Sequence, residues 1–549
     1  MSAAILRPLA LAAAALAAAP TAARDAAPAS EIVHLDQGLT AEERQRFYHL
    51  SVGSQLLPLS VLRALKNPDT GEPFLADPER FGMLSNPDHP DGLPIGLSVE
   101  RGVGSSVLGP IAGINCAACH VTELRHEGKA VRVDGSAGLM DFEAFSAELS
   151  KALSALESAS ALAGFLGRIV TQPSPTAEPM TPLTPEALTG VAGPPPQEEP
   201  ESLSASLGAG ISGWTEGLSQ TNRLFKGKLD FLGRMGEMEA AQPTGPGRTD
   251  DWVIARNLLF PKEDWLPRGV ANASYPALWG YAGYEWLTWN GATRSGMERG
   301  VATVMGLGAL YDDAYESTVS PAAIVEHDRL AAKITPPAWP EDALGPIDRD
   351  AAARGAEIYA ARCAECHDAP GHYDHAEIGT DSTHAESWAI PLGATEWEGE
   401  FSRSGQPAFA DAFSAEVAKF TAEAWAQEGW SAEQIAAAVP PADEVWRPVL
   451  QVVSRPLAGV WATAPYLVNG SVPTIDALLR PVAERPAAFP VGHFDYDPAR
   501  LGYRTDIPRD EAVFWFDTTL EGNANAGHLY GTDLSESDRR ALIEYLKTL

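Results

Sequence analysis

Four cysteines occur in the 549 residues, and all four fall in two pentads of one pattern, Cys116-Ala117-Ala118-Cys119-His120 and Cys363-Ala364-Glu365-Cys366-His367. Two thiols with two residues between them have the spacing to add across the two vinyl groups of a porphyrin. The histidine that follows then lies under the iron as its proximal ligand. The pentads therefore predict two covalently attached haem c groups, joined through Cys116, Cys119, Cys363 and Cys366 and ligated by His120 and His367. Paired CxxC sequences can also build a zinc ribbon or a redox dithiol, but ribbon pairs lie within about 20 residues of each other. Here nearly half the chain separates the pairs, and each is closed by histidine. No thiol is left for an ordinary disulfide framework.

No methionine follows Met305, so the second iron cannot take a thioether from its own half of the chain. His372, His375, His384, His493 and His528 remain as nitrogen donors. The first two follow the pentad too closely to reach the opposite haem face. His528 is expected as the sixth ligand, because the glycines of Gly522-Asn523-Ala524-Asn525-Ala526-Gly527-His528 let a loop backbone approach a porphyrin. A histidine in an exposed loop is the plainer alternative. For the first iron, His126 follows His120 closely in a charged stretch and His327 is far away. That predicts an iron that is five-coordinate or binds only water or oxygen, and an open iron separates a catalytic haem from an electron carrier.

The elements that position these groups are expected to be mainly helical, as two packed cytochrome c-type haem domains with extensive loops and a few short strands. Gly355, Tyr359 and Cys363 recur at four-residue steps and share one helix face. Ser535 and Asp538 predict a capping box for a C-terminal helix whose stripe is Leu542, Tyr545, Leu546 and Leu549. The first pentad follows Gly113-Ile114-Asn115 and is expected at a loop-to-helix turn. Met140 to Arg168 reads as helical, with Phe142, Phe145, Leu149, Leu153 and Leu156 on one face. Prolines then crowd the stretch from Thr171 to Pro200, which reads as an exposed excursion.

The N-terminus carries one arginine, an alanine- and leucine-rich run from Leu9 to Ala19 and small residues to Ala23, the pattern of a cleaved secretory signal peptide. Residues 1–23 are thus expected to be removed, with export to the periplasm. A first haem domain is expected over 24–345, with a Pro-rich insertion near 150–240, and a second over 346–549. No segment is long or apolar enough to span a bilayer. The net charge of −33 argues against nucleic acid as a partner. An acidic surface would suit a small basic electron-transfer protein; equally, it keeps an exported protein soluble.

Read together, these residues resemble the bacterial di-haem cytochrome c peroxidase superfamily, and within it the branch that includes the di-haem rubber oxygenases. The resemblance runs through Tyr48-His49-Leu50-Ser51-Val52-Gly53-Ser54, Gly92-Leu93-Pro94-Ile95-Gly96 and Gly245-Pro246-Gly247-Arg248-Thr249-Asp250. It continues through Tyr275-Pro276-Ala277-Leu278-Trp279-Gly280, Trp289-Asn290-Gly291, Ala464-Pro465-Tyr466-Leu467-Val468-Asn469-Gly470-Ser471 and Gly527-His528-Leu529-Tyr530-Gly531-Thr532. It implies one reactive haem, a second that relays electrons, Trp289 between them, and a calcium ion between the domains whose ligands it does not assign. On the sequence alone Trp289 reads more readily as core; the resemblance reverses that reading.

Two departures stand out. The peroxidases carry a catalytic glutamate in a loop after their Trp-Asp-Gly. Here that region reads Gly300-Val301-Ala302-Thr303-Val304-Met305-Gly306-Leu307-Gly308, and the nearby Glu298 is expected to be a solvated helix charge. Val468 also stands where the family has histidine. Both changes point to an apolar distal pocket suited to O2 or an organic substrate. The resulting expectation is an oxidoreductase that activates peroxide or O2, with a non-catalytic electron-transfer cytochrome as the rival.

Overall fold

The computed structural model describes residues 31–102, 109–176, 178–193, 226, 233–259, 262, 265–389, 408–439, 445–447, 449–509 and 514–549. The expected signal peptide and much of the Pro-rich insertion lie outside these residues. The described chain is mainly helical with short strands, as expected. Its largest core cluster draws on both halves, from Phe47 and Tyr48 through Trp461 to Leu542 and Leu546. Among the described residues, no single helix is long and apolar enough to cross a membrane.

The helix Arg349–Arg362 delivers the second pentad and is crossed by the C-terminal helix Glu536–Leu546. The crossing is close because Gly355 has no side chain. A Cβ there would lie 2.0 Å from the carbonyl oxygen of Ala541. The C-terminal helix starts where expected, with Ser535 Oγ accepting from the Asp538 amide at 3.2 Å. The expected capping box is not formed: Asp538 Oδ2 accepts from the Ser535 hydroxyl at 2.7 Å, where a capping box has it accept from the Ser535 amide. Leu542, Tyr545, Leu546 and Leu549 all join the main core.

The first pentad differs from expectation. It sits between two strands, Ile111–Ile114 and Val121–His126, on a single 3-10 turn, Cys116–Ala118. Val121–His126 pairs antiparallel with Lys129–Asp134, which pairs parallel with Glu31–His34. The β-branched residues after His120 are claimed by this sheet, and no helix can begin there.

The helical stretch expected from Met140 to Arg168 is broken in two: Phe142–Ser154, extended by the 3-10 turn Ala155–Glu157, and Ala159–Thr171, with a bend of 114° between Phe142–Glu157 and Ala159–Thr171. Ser158 makes the break by capping the second helix, accepting from the Ala161 amide at 3.2 Å. The expected apolar face survives: Phe145 and Leu156 are buried, with Phe142, Leu149 and Leu153 packed beside them. Within the proline-crowded stretch, Pro185–Thr189 forms one short helix capped by Thr184.

Candidate haem sites

At the first pentad, Asn115 fixes the turn from both ends. Its Oδ1 accepts from the Ala117 amide at 3.0 Å, and its Nδ2 donates to the Leu50 carbonyl at 2.9 Å. His120 Nδ1 lies 3.0 Å from the Pro276 carbonyl. A hydrogen bond there places the proton on Nδ1 and leaves Nε2 as a metal ligand. Burial, then the charge of Arg299, pulls the His120 pKa down to about 3, so the imidazole is neutral and able to ligate.

The second pentad repeats the device. His367 Nδ1 lies 2.8 Å from the Arg455 carbonyl. Cys363 caps its helix, donating its amide to Tyr359 O at 2.8 Å, and the chain continues as the short helix Ala364–His367. Cys363, Cys366 and His367 line a cavity of about 540 Å³ whose lining also includes His528. The two imidazole centroids are 6.3 Å apart. Two imidazoles bound on opposite sides of one metal, at about 2.0 Å per bond, stand about 6 Å apart. His528 Nδ1 is closed off from solvent with no partner on another residue, so Nε2 is the nitrogen that faces the cavity. Burial, followed by the charges of His367 and Arg485, lowers its pKa to about 4.

The backbone at His528 is held in the left-handed region, φ 46°. Its amide donates to the Ile378 carbonyl at 2.9 Å. Gly527 permits the approach: a Cβ there would lie 2.2 Å from the backbone of Gly379. A residue not singled out in the sequence, Arg485, gathers the loop. Its Nη1 donates to the carbonyls of Asn525 and Gly527 at 2.5 and 2.9 Å, and its Nη2 to that of His528 at 3.1 Å. Asn469 adds two bonds of 3.0 Å from Nδ2, to Gly522 O and Ala524 O. The two resembling segments around Val468 and His528 are thus one structural unit.

None of the other candidate histidines lines this cavity. His372 is exposed on the strand Gly371–Asp374. His375 lies 3.3 Å from Thr380 Oγ1, and His384 Nδ1 lies 3.1 Å from the Ala271 carbonyl. His493 is fully buried beside Tyr503. Towards the first site, His126 belongs to the hairpin strand Val121–His126. His327 spends Nε2 on the Leu50 carbonyl at 3.0 Å, while its Nδ1 is sealed from solvent. Neither of its nitrogens faces open space.

Trp289 also lines the second cavity, and its Nε1 donates to the Ser274 carbonyl at 2.6 Å. Ser274 lies two residues before Pro276, the partner of His120, so Trp289 is tied to the segment that holds the His120 ring. Val468 lines the second cavity as well; its replacement of histidine therefore bears on that site.

Two expectations need correction. Gly300 to Gly306 is not a loop: it forms most of the helix Gly296–Gly306, capped by Ser295. Glu298 is not a solvated charge: it accepts from Trp446 Nε1 at 2.5 Å, and burial raises its pKa. The surroundings of the first pentad are also not wholly apolar. Cys116 packs beside the cluster that includes Val301 and Val304. Arg299 and Asp328, paired at 3.3 Å, are close enough to act on its thiol.

All four cysteines are free of disulfides. Burial pushes Cys116 and Cys119 up to about 11 and 12, and Cys363 is raised too. Reactive dithiols show the reverse shift. Among the described residues, no group of three or more His, Cys, Asp or Glu side chains is arranged to hold a metal ion. Cys116, Cys119 and Cys363 are half-buried with raised pKa values, and each cysteine pair is followed by a histidine, which fits covalent haem attachment.

The residues gathered at these two sites fit those that covalent haem attachment requires. The chain matches a family model described as RoxA-like, cytochrome c-like, over residues 452–490. That segment includes Arg455, Val468 and Arg485, which build the wall of the second cavity and clamp the His528 loop. The chain is 28% identical to the uncharacterized protein y4iJ of Sinorhizobium fredii (strain NBRC 101917 / NGR234), over 94% of this chain and 93% of that protein. It is 26% identical to the uncharacterized protein y4iM of the same organism, over 57% of this chain and 72% of that protein.

Proposed function

We propose that this chain is an exported di-haem oxidoreductase with one closed and one open iron site. The observation that carries the reading is the asymmetry between the two sites. His367 faces His528 across a cavity at the separation of two axial ligands. His120 has no such counterpart in His126 or His327. A haem held by His120 would offer an open position for O2 or peroxide.

In this reading residues 24–345 and 346–549 are two haem domains, and residues 1–23 direct export. His367 and His528 would together hold the second haem, which would supply electron exchange at this site. The hydrogen bonds from His120 to Pro276 and from His367 to Arg455 orient the rings and raise their basicity as ligands. Trp289, anchored on Ser274, relays electrons between the sites. The helix Gly296–Gly306 supplies no free acid, since Glu298 is engaged by Trp446. Acid-assisted cleavage of peroxide from this helix is therefore disfavoured, and oxygenation of an organic substrate by O2 is the better fit.

Electron paramagnetic resonance of the oxidised protein tests the asymmetry. The expected spectrum has one low-spin bis-histidine signal and one high-spin signal. Two low-spin signals would instead describe an electron carrier.

A further inference from the structure

Arg455 follows the strand Gln451–Ser454 and stands where the two sites meet. Its carbonyl accepts from His367 Nδ1 at 2.8 Å. Its guanidinium donates from Nη1 to the Ala277 carbonyl at 3.2 Å. The carbonyl of the preceding residue, Pro276, accepts from His120 Nδ1 at 3.0 Å. One residue thus reaches the proximal histidine of the second site directly and that of the first through a single peptide unit.

The guanidinium lies 4.9 Å from the ring centroid of Trp289 and 5.2 Å from that of Tyr284. It lines the second cavity, and its Nε is shut off from solvent without an acceptor. Among the described residues, no carboxylate pairs with it; its polar partners are Ala277 O and Tyr284. Half-buried at the cavity wall, the guanidinium is screened less by water than a surface charge. A positive charge near an iron favours Fe(II) over Fe(III) and so raises the reduction potential.

We propose that Arg455 is the positioning residue that couples the two haem sites, its fixed charge raising both reduction potentials and its hydrogen bonds tying together the supports of both proximal imidazoles. The inference rests on the reading of both pentads as haem sites. A pyridine haemochrome count separates the two claims: fewer than two haems per chain removes the underlying reading, whereas two haems leave Arg455 itself to be tested.

Spectroelectrochemical titration of Arg455→Met is then decisive. Both midpoint potentials are expected to fall, each by at least a tenfold change in the Fe(II)/Fe(III) equilibrium, about 59 mV for a one-electron couple. Arg455→Lys keeps the charge and is expected to stay near the parent. Trp289→Phe, which leaves the charge in place, is expected to slow inter-haem transfer without moving either potential. Unchanged potentials in Arg455→Met, or a shift in only one, would overturn the proposal. Should Arg455→Met fail to load haem, Arg455→Gln takes its place. Haem retained in the Lys variant but lost in the Gln variant would support a requirement for charge. Loss in both would reduce Arg455 to a packing role and overturn the proposal.

Discussion

His367 and His528 both line one cavity, with their ring centroids 6.3 Å apart and their planes inclined by 51°. They are separated by most of the C-terminal half of the chain, yet they meet at the distance that one metal between two nitrogens requires. His528→Ala should therefore open the second iron. The optical spectrum of that haem is expected to change from six-coordinate low-spin to high-spin, and it should gain an exogenous ligand site. An unchanged spectrum would show that another group ligates.

Arg485 holds His528 indirectly, through the carbonyls of Asn525, Gly527 and His528. Bonds from a charged donor are worth about 1.5–3 kcal/mol each when lost. Arg485→Ala should leave these carbonyls unsatisfied and free the loop. The three bonds share one donor and do not add in full, so the expected result is a fold destabilised by about 2–4 kcal/mol in denaturant unfolding, with a mixed-spin second haem. A fully low-spin haem in that variant would show that the loop holds its place without the clamp.

Gly355→Ala sets two effects against each other. Helix propensity favours alanine by about 1 kcal/mol. The new Cβ would lie 2.0 Å from a backbone oxygen of the crossing helix, which cannot move away as a flexible side chain could. Overpacking of this kind costs about 1–3 kcal/mol or more, so the clash wins. The midpoint of chemical unfolding should fall. A stabilised variant would mean that the two helices do not cross this closely.

What was legible in the sequence was what is local. The pentads, the Gly355 face and the Ser535 cap each depend on residues within a few positions of one another. His528 could be singled out because glycine marks a loop that must come close to something. Arg485, Arg455 and the Arg299–Asp328 pair left no comparable signal. They act on carbonyls or thiols far away in sequence, and an arginine bonding to distant backbone looks like any other arginine. The first pentad was misplaced because its spacing dictates the attachment chemistry but not the element after it; the valine and threonine that follow His120 are taken into a sheet. Glu298 looks like a surface charge in the sequence because its partner, Trp446, is far along the chain.

Asp250 gives a pH signature. Burial raises its pKa from 3.8 to about 7, against the hydrogen bond from the Gly269 amide. The folded state therefore favours the neutral acid, while the unfolded chain ionises near 3.8. Its contribution to stability is fully present below about pH 4 and is lost as pH rises through about 7. Asp250→Asn removes this titration. The difference in unfolding free energy between parent and variant should slope with pH over that window, by at most about 1.4 kcal/mol per pH unit. A flat difference would show that Asp250 is ionised in the folded protein.

The most direct test of one open and one closed iron is the Soret spectrum of the dithionite-reduced protein before and after carbon monoxide. The account predicts that about half of the band intensity shifts, because the iron on His120 takes the ligand while the iron between His367 and His528 does not. A spectrum in which nothing shifts, or in which the whole band does, would contradict it.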